Sequence, residues 1–124
     1  MKSPALRLFL VYLLVLFFLF IVGNVNSQTL KLGDDLTVVH FNAGWNAANN
    51  VKWVNSLNDI KVKRCDIATD TKSASKHEII VVPTIIIFNH GKEIKRYQAD
   101  ISFSMKVTKY QIQSKIDDIL MESF

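Results

Sequence analysis

Apolar and polar positions change pattern once along the chain, from one unbroken greasy run to short periodic segments. Between Leu8 and Val22 all fifteen residues are apolar apart from the hydroxyl of Tyr12. Beyond Gln28 the apolar residues come in strand-sized and helix-sized groups. Leu36–Asn42 (LTVVHFN) is a β-branched run of strand length. Ala47, Val51, Val54 and Leu57 then recur at helical spacing, which predicts a short helix. Asn46 stands where an N-cap would, its side-chain oxygen able to accept a first-turn N–H, and Asn49 falls in the first turn. Val62–Ile67 reads as a second strand, and Thr69 or Asp70 is placed to cap a brief helix running to about His77.

The second half is patterned more sharply. Ile79–Val82 leads into Pro83, and Thr84–Phe88 (TIIIF) is continuously apolar, the pattern of a central strand covered on both faces. Asn89, His90 and Gly91 predict a tight turn into a return strand over Glu93–Tyr97. Thr108 and Gln111 have capping-box spacing, and Ile112, Ile116, Ile119 and Leu120 keep one helical face apolar behind them. The order is β-α-β-α-β-β-α, an α/β domain with no internal repeat or linker.

The greasy run is set apart from this domain by its flanks. Lys2 and Arg7 precede it, and Gly23, Asn24 and small residues follow, the layout of an export or anchor segment. Residues 1–27 are accordingly a signal peptide or an N-terminal membrane anchor, and residues 28–124 the domain. Fifteen apolar residues are long for a signal peptide and short of the ~20 that span a bilayer. Counting from Ala5, with Arg7 snorkelling, extends the stretch, while Val25 and Ser27 ahead of Gln28 make an acceptable cleavage site. Cleaved secretion and tethering through residues 5–22 both stay open. Either way Lys2 and Arg7 hold the N-terminus inside, and the domain faces a periplasm-like or other extracytoplasmic space.

Charge and cysteine content narrow the chemistry. The formal net charge of +4 falls to +2 once Lys2 and Arg7 are set aside, and no Lys/Arg run remains, so nucleic acid is a poor partner. A domain of this size supports one hydrophobic core without a staple. The single cysteine, Cys65, has no disulfide partner in the chain and no zinc-ligand cluster around it; its place in the second strand predicts a buried, inert thiol. His40 is expected half-buried with one hydrogen bond. His77 and His90 lie in separate turns without ligand spacing and are expected to be solvated. No metal or cofactor is implied.

Two segments resemble the thioredoxin family. Val38–Asn49 (VVHFNAGWNAAN) is similar to the family's first core strand and active-site loop, and Ile79–Lys92 (IIVVPTIIIFNHGK) to its cis-proline loop, next strand and Gly-containing hairpin. The resemblance covers roughly Leu36–Leu120 and lacks the opening strand and helix of full-length members. It implies a minimal thioredoxin-like α/β fold, a mixed central sheet flanked by helices, with a cis Val82–Pro83 bond. It places Asn46 and Asn49 at the family's two cysteine positions and His40 where the family often has a buried Asp. Dithiol exchange needs a thiolate activated at a helix N-terminus and a resolving thiol, neither of which an amide supplies.

The function implied is a redox-inactive, non-catalytic, monomeric binding domain. Its former substrate groove, with Trp45, Val82, Pro83 and Thr84, would take an extended segment of a partner protein, the main chain of Val82 pairing with it as a strand. Trp45 has two readings, a partner-facing aromatic or one packed on its own loop. The alternative function is a thiol-disulfide oxidoreductase or redox-homeostasis protein acting through Cys65 or a partner's cysteines; a structural envelope protein is a third.

Overall fold

A computed structural model of the chain describes residues 29–123. The leader assignments, from Lys2 and Arg7 to the cleavage site before Gln28, lie outside the described residues. Strands β1 (Thr37–Asn42), β2 (Lys61–Asp66), β3 (Thr84–Asn89) and β4 (Lys92–Gln98) form one sheet, with helices α1 (Thr71–Lys76) and α2 (Lys109–Glu122) around it. The strand order is β2-β1-β3-β4. β1 runs parallel to β2 and antiparallel to β3, and β3 and β4 form an antiparallel hairpin. The architecture is the mixed-sheet, thioredoxin-like α/β fold. Strand limits differ from the sequence reading by a residue at most, as with β2, which begins at Lys61 and ends at Asp66.

The apolar run of β3 is explained by its place: it and β1 are the inner strands, and their alternate side chains feed two cores. Val38, Ile85 and Ile87 meet Val51, Val54, Leu57 and the Ile112, Ile116 and Ile119 stripe of α2. Val39, Phe41, Ile86 and Phe88 meet Cys65 on the opposite face, with Leu30, Leu32, Ile67 and Ile79 packed around them. Local signals set the ends of these elements. Thr108 and Gln111 make a capping box at α2, and Asp70 caps α1 by accepting the Ser73 N–H at 3.1 Å. His90 and Gly91, with φ of 54° and 74°, are the two left-handed residues that a two-residue hairpin of this twist requires, which suits glycine at the second.

The expected helix over residues 47–57 is corrected. The segment forms two 3-10 turns, Gly44–Asn49 and Lys52–Ser56, kinked where Asn46 takes φ −111°. The buried Val51, Val54 and Leu57 are three residues apart, the repeat at which side chains line up on a 3-10 helix. Asparagines at 46, 49, 50 and 55 disfavour an α-helix because their amides compete for backbone groups. His77 is also corrected. It is half-buried, not solvated, with its ring 5.8 Å from Phe41 and 5.1 Å from Phe88. Burial, then Lys76, lowers its pKa.

Candidate functional site

The C-terminal end of β1 opens into the Asn-rich loop, and four amides knot that junction together. Asn42 Nδ2 donates to the Asn46 carbonyl at 3.1 Å and to Asn50 Oδ1 at 2.5 Å. Asn46 Nδ2 donates to Asn42 Oδ1 at 3.1 Å and to the Phe103 carbonyl at 3.3 Å, while Asn46 Oδ1 accepts from Asn49 Nδ2 at 2.8 Å. Asn46 is therefore not the N-cap expected of it. Ala43 occupies the cap, with no side-chain capping bond, and the buried Asn46 side chain ties the loop to the segment before α2.

That segment also receives Trp45. The indole is 68% exposed and meets the Phe103 ring edge-on, centroids 5.4 Å apart and planes at 89°. Trp45 thus packs on a distant loop, not on its own, and still presents most of its surface. Phe103 has φ 60°, left-handed backbone that a bulky residue adopts at a cost of order 1–3 kcal/mol. The turn is held by its N–H on the Asp100 carbonyl at 3.1 Å.

The Val82–Pro83 bond is cis. Thr84 Oγ1 donates to the Val81 carbonyl at 2.7 Å, and the Pro83 carbonyl accepts the Ala99 N–H at 3.0 Å. Among the described residues no hydrogen bond engages the main chain of Val82. Val82 is buried as a whole, however, main chain and side chain together only 3% exposed, and Pro83 and Thr84 are buried beside it. The two expected halves of the groove are joined through the 99–103 segment, which begins on Pro83 and ends against Trp45 and Asn46. Phe103 and the exposed Ile101 were missed by sequence reading. The available signal was an isolated apolar pair, ISF, in a segment with no periodicity.

Two polar centres lie on opposite faces of the sheet. His40 is 2% exposed, which corrects its half-buried assignment. Its Nε2 accepts the Val51 N–H at 3.1 Å, and its Nδ1 stands 3.1 Å from Arg64 Nη1. Burial and then the Arg64 charge lower its pKa to about 4. Cys65 lies in register with Phe41, its Sγ 3.8 Å from Asp70 Oδ2. Burial, followed by the Asp70 charge, pushes the thiol up to about 12, so it stays protonated and un-nucleophilic at neutral pH. Among the described residues no three His, Cys, Asp or Glu side chains gather to hold a metal.

The thioredoxin family model matches residues 22–117. The chain belongs to the thioredoxin family. No curated protein matches it. Among solved structures, it is similar to a mutant thioredoxin from Halobacterium salinarum NRC-1, with 18% identity, a TM-score of 0.55 and coverage of 78% of this chain and 80% of that one. Thioredoxin from Trypanosoma brucei brucei aligns at 21% identity and TM-score 0.53, over 72% of this chain and 78% of that one. Thioredoxin 1 from Thermosipho africanus TCF52B aligns at 17% and 0.54, over 70% and 97%. At these identities the structural likeness establishes fold, and the thioredoxin-family domain must be read for function from its own side chains.

Proposed function

We propose that this thioredoxin-family domain is a non-catalytic binding module that captures an extended segment of a partner protein on the face carrying Trp45. The observation that carries the reading is the Trp45 indole, two-thirds exposed yet braced edge-on by Phe103. An aromatic held in place loses little conformational freedom on binding and offers a large apolar contact. The main chain of Val82, which makes no hydrogen bond among the described residues, would pair as a strand with a segment that opens the cover over this buried residue, Pro83 and Thr84 lying beside it. Asn46 and Asn49, read as occupying the family's cysteine positions, are amides bonded to each other and cannot exchange disulfides. Cys65, the chain's single sulfhydryl, is buried on the far core and is no substitute nucleophile.

The domain is further proposed to be monomeric and to work outside the cytoplasm, secreted or tethered by its leader. The support for the location is the Lys2/Arg7-flanked apolar run in the sequence. The experiment is affinity capture from the native membrane and envelope fractions, with the wild type beside Trp45→Ala. A partner retained by the wild type and weakened tenfold or more by the substitution is expected. Equal capture by both would remove Trp45 from the interface, and disulfide reduction above background by the purified protein, abolished by Cys65→Ser, would restore the oxidoreductase reading.

A further inference from the structure

A cavity of about 180 Å³ opens under the Gly44–Ala47 turn, lined by His40, Asn50, Arg64 and Asp66 among others. Its hydrogen-bond inventory does not close. The Val51 main-chain N–H is a donor and points at His40 Nε2, so Nε2 must be the bare nitrogen and a neutral ring carries its proton on Nδ1. Nδ1–H then faces Arg64 Nη1 at 3.1 Å, and a guanidinium only donates. Two donors confront each other where one acceptor would serve both. The opposite tautomer only moves the conflict to the Val51 N–H, whose position the backbone dictates.

Arg64 is anchored by its other nitrogen, Nη2, on the Val51 carbonyl at 3.2 Å, and among the described residues no carboxylate lies within ion-pair distance of it. Asn50 has spent its oxygen on Asn42, which leaves its NH2 group as a further donor at the wall. We propose that this cavity is a binding site for a small monoanion with a carboxylate head, seated between Arg64 and His40 Nδ1–H. The cationic guanidinium selects an anion over water. The Asp66 carboxylate, in register with Asn42 two strand positions beyond the His40–Arg64 pair and so on the same face, selects a monoanion over a dianion such as phosphate.

The test titrates the purified full-length chain with acetate, phosphate and chloride at matched ionic strength. Acetate at ten times its Kd is expected to raise Tm by roughly 5 °C beyond chloride. The increment should vanish in Arg64→Gln. If acetate does no more than chloride, if phosphate stabilises more, or if Arg64→Gln responds as the wild type does, the site holds an adventitious ion only. Because Arg64→Gln loosens the Val51 contact as well, the imidazole nitrogen shifts of the wild type give an independent readout: a proton on His40 Nδ1, shifted by acetate, is expected, and a proton on Nε2 overturns the proposal.

Discussion

Asp70 and His40 are buried polar groups on opposite sides of the same sheet, and they solve the same problem with unequal success. Asp70 brings two acceptor oxygens to a place with three donors: the Leu30 N–H at 2.7 Å, the Ser73 N–H at 3.1 Å and the Cys65 thiol at 3.8 Å. Donors and acceptors match, and although burial works to raise the Asp70 pKa, the bonds from Leu30 and Ser73 bring it below the usual carboxylate range. His40 brings a ring with one free lone pair to a place with two donors, and its charged form is held off by burial and by Arg64. A buried polar group stabilises a fold only as far as its partners complement it. The matched centre ties the Leu30 segment and the start of α1 to β2. The mismatched one lines the cavity proposed to bind an anion.

The sharpest way to break the comparison is to remove the matched partner. Asp70→Ala leaves the Leu30 N–H without its acceptor and uncaps α1, so a loss of about 3 kcal/mol in urea unfolding is expected. A loss under about 1 kcal/mol would mean the centre is not the tie it resembles.

Acid separates the two centres by pH window. His40 has a folded pKa of about 4 against 6.5 when unfolded, so the unfolded chain binds the proton first. Stability is intact above 6.5 and is expected to fall by on the order of 2–3 kcal/mol between pH 6.5 and 4. Asp70 acts lower: its stabilising charge is present above its unfolded value of 3.8 and is lost as pH drops through its depressed folded pKa. His40→Gln should flatten the upper window and leave the lower one; an unchanged upper slope would assign it to another group.

Smaller effects refine the picture. Thr108→Ala, which removes the capping box of α2, should cost about 1 kcal/mol by the same unfolding measurement. Trp45→Ala removes an edge-on aromatic pair and should cost about 0.5–1 kcal/mol, with the melting transition still cooperative. Cys65 should label with a thiol reagent at pH 8 only as fast as the domain opens, and faster in Asp70→Ala; prompt labelling of the wild type would contradict its burial.

What could be read from residues alone is what depends on neighbours in the chain. The β3 run, the His90-Gly91 turn, the Asp70 cap and the Thr108/Gln111 box all rest on contacts within a few residues, and all stand in the structure. Helical spacing over 47–57 was misleading because the same apolar positions fit a three-residue repeat, and the choice between them fell to the amides of Asn42, Asn46, Asn49 and Asn50, whose bonds depend on where β1 ends. His40 looked half-solvated because its partners Val51 and Arg64 lie 11 and 24 positions away. His77 was read as a surface turn residue for want of Phe41 and Phe88, which only sheet pairing brings to it. Phe103 beneath Trp45 is the widest case: the Asn46 bond to its carbonyl spans 57 positions. Local periodicity and capping determined the elements; the site was decided by which distant side chains the packed sheet sets against one another.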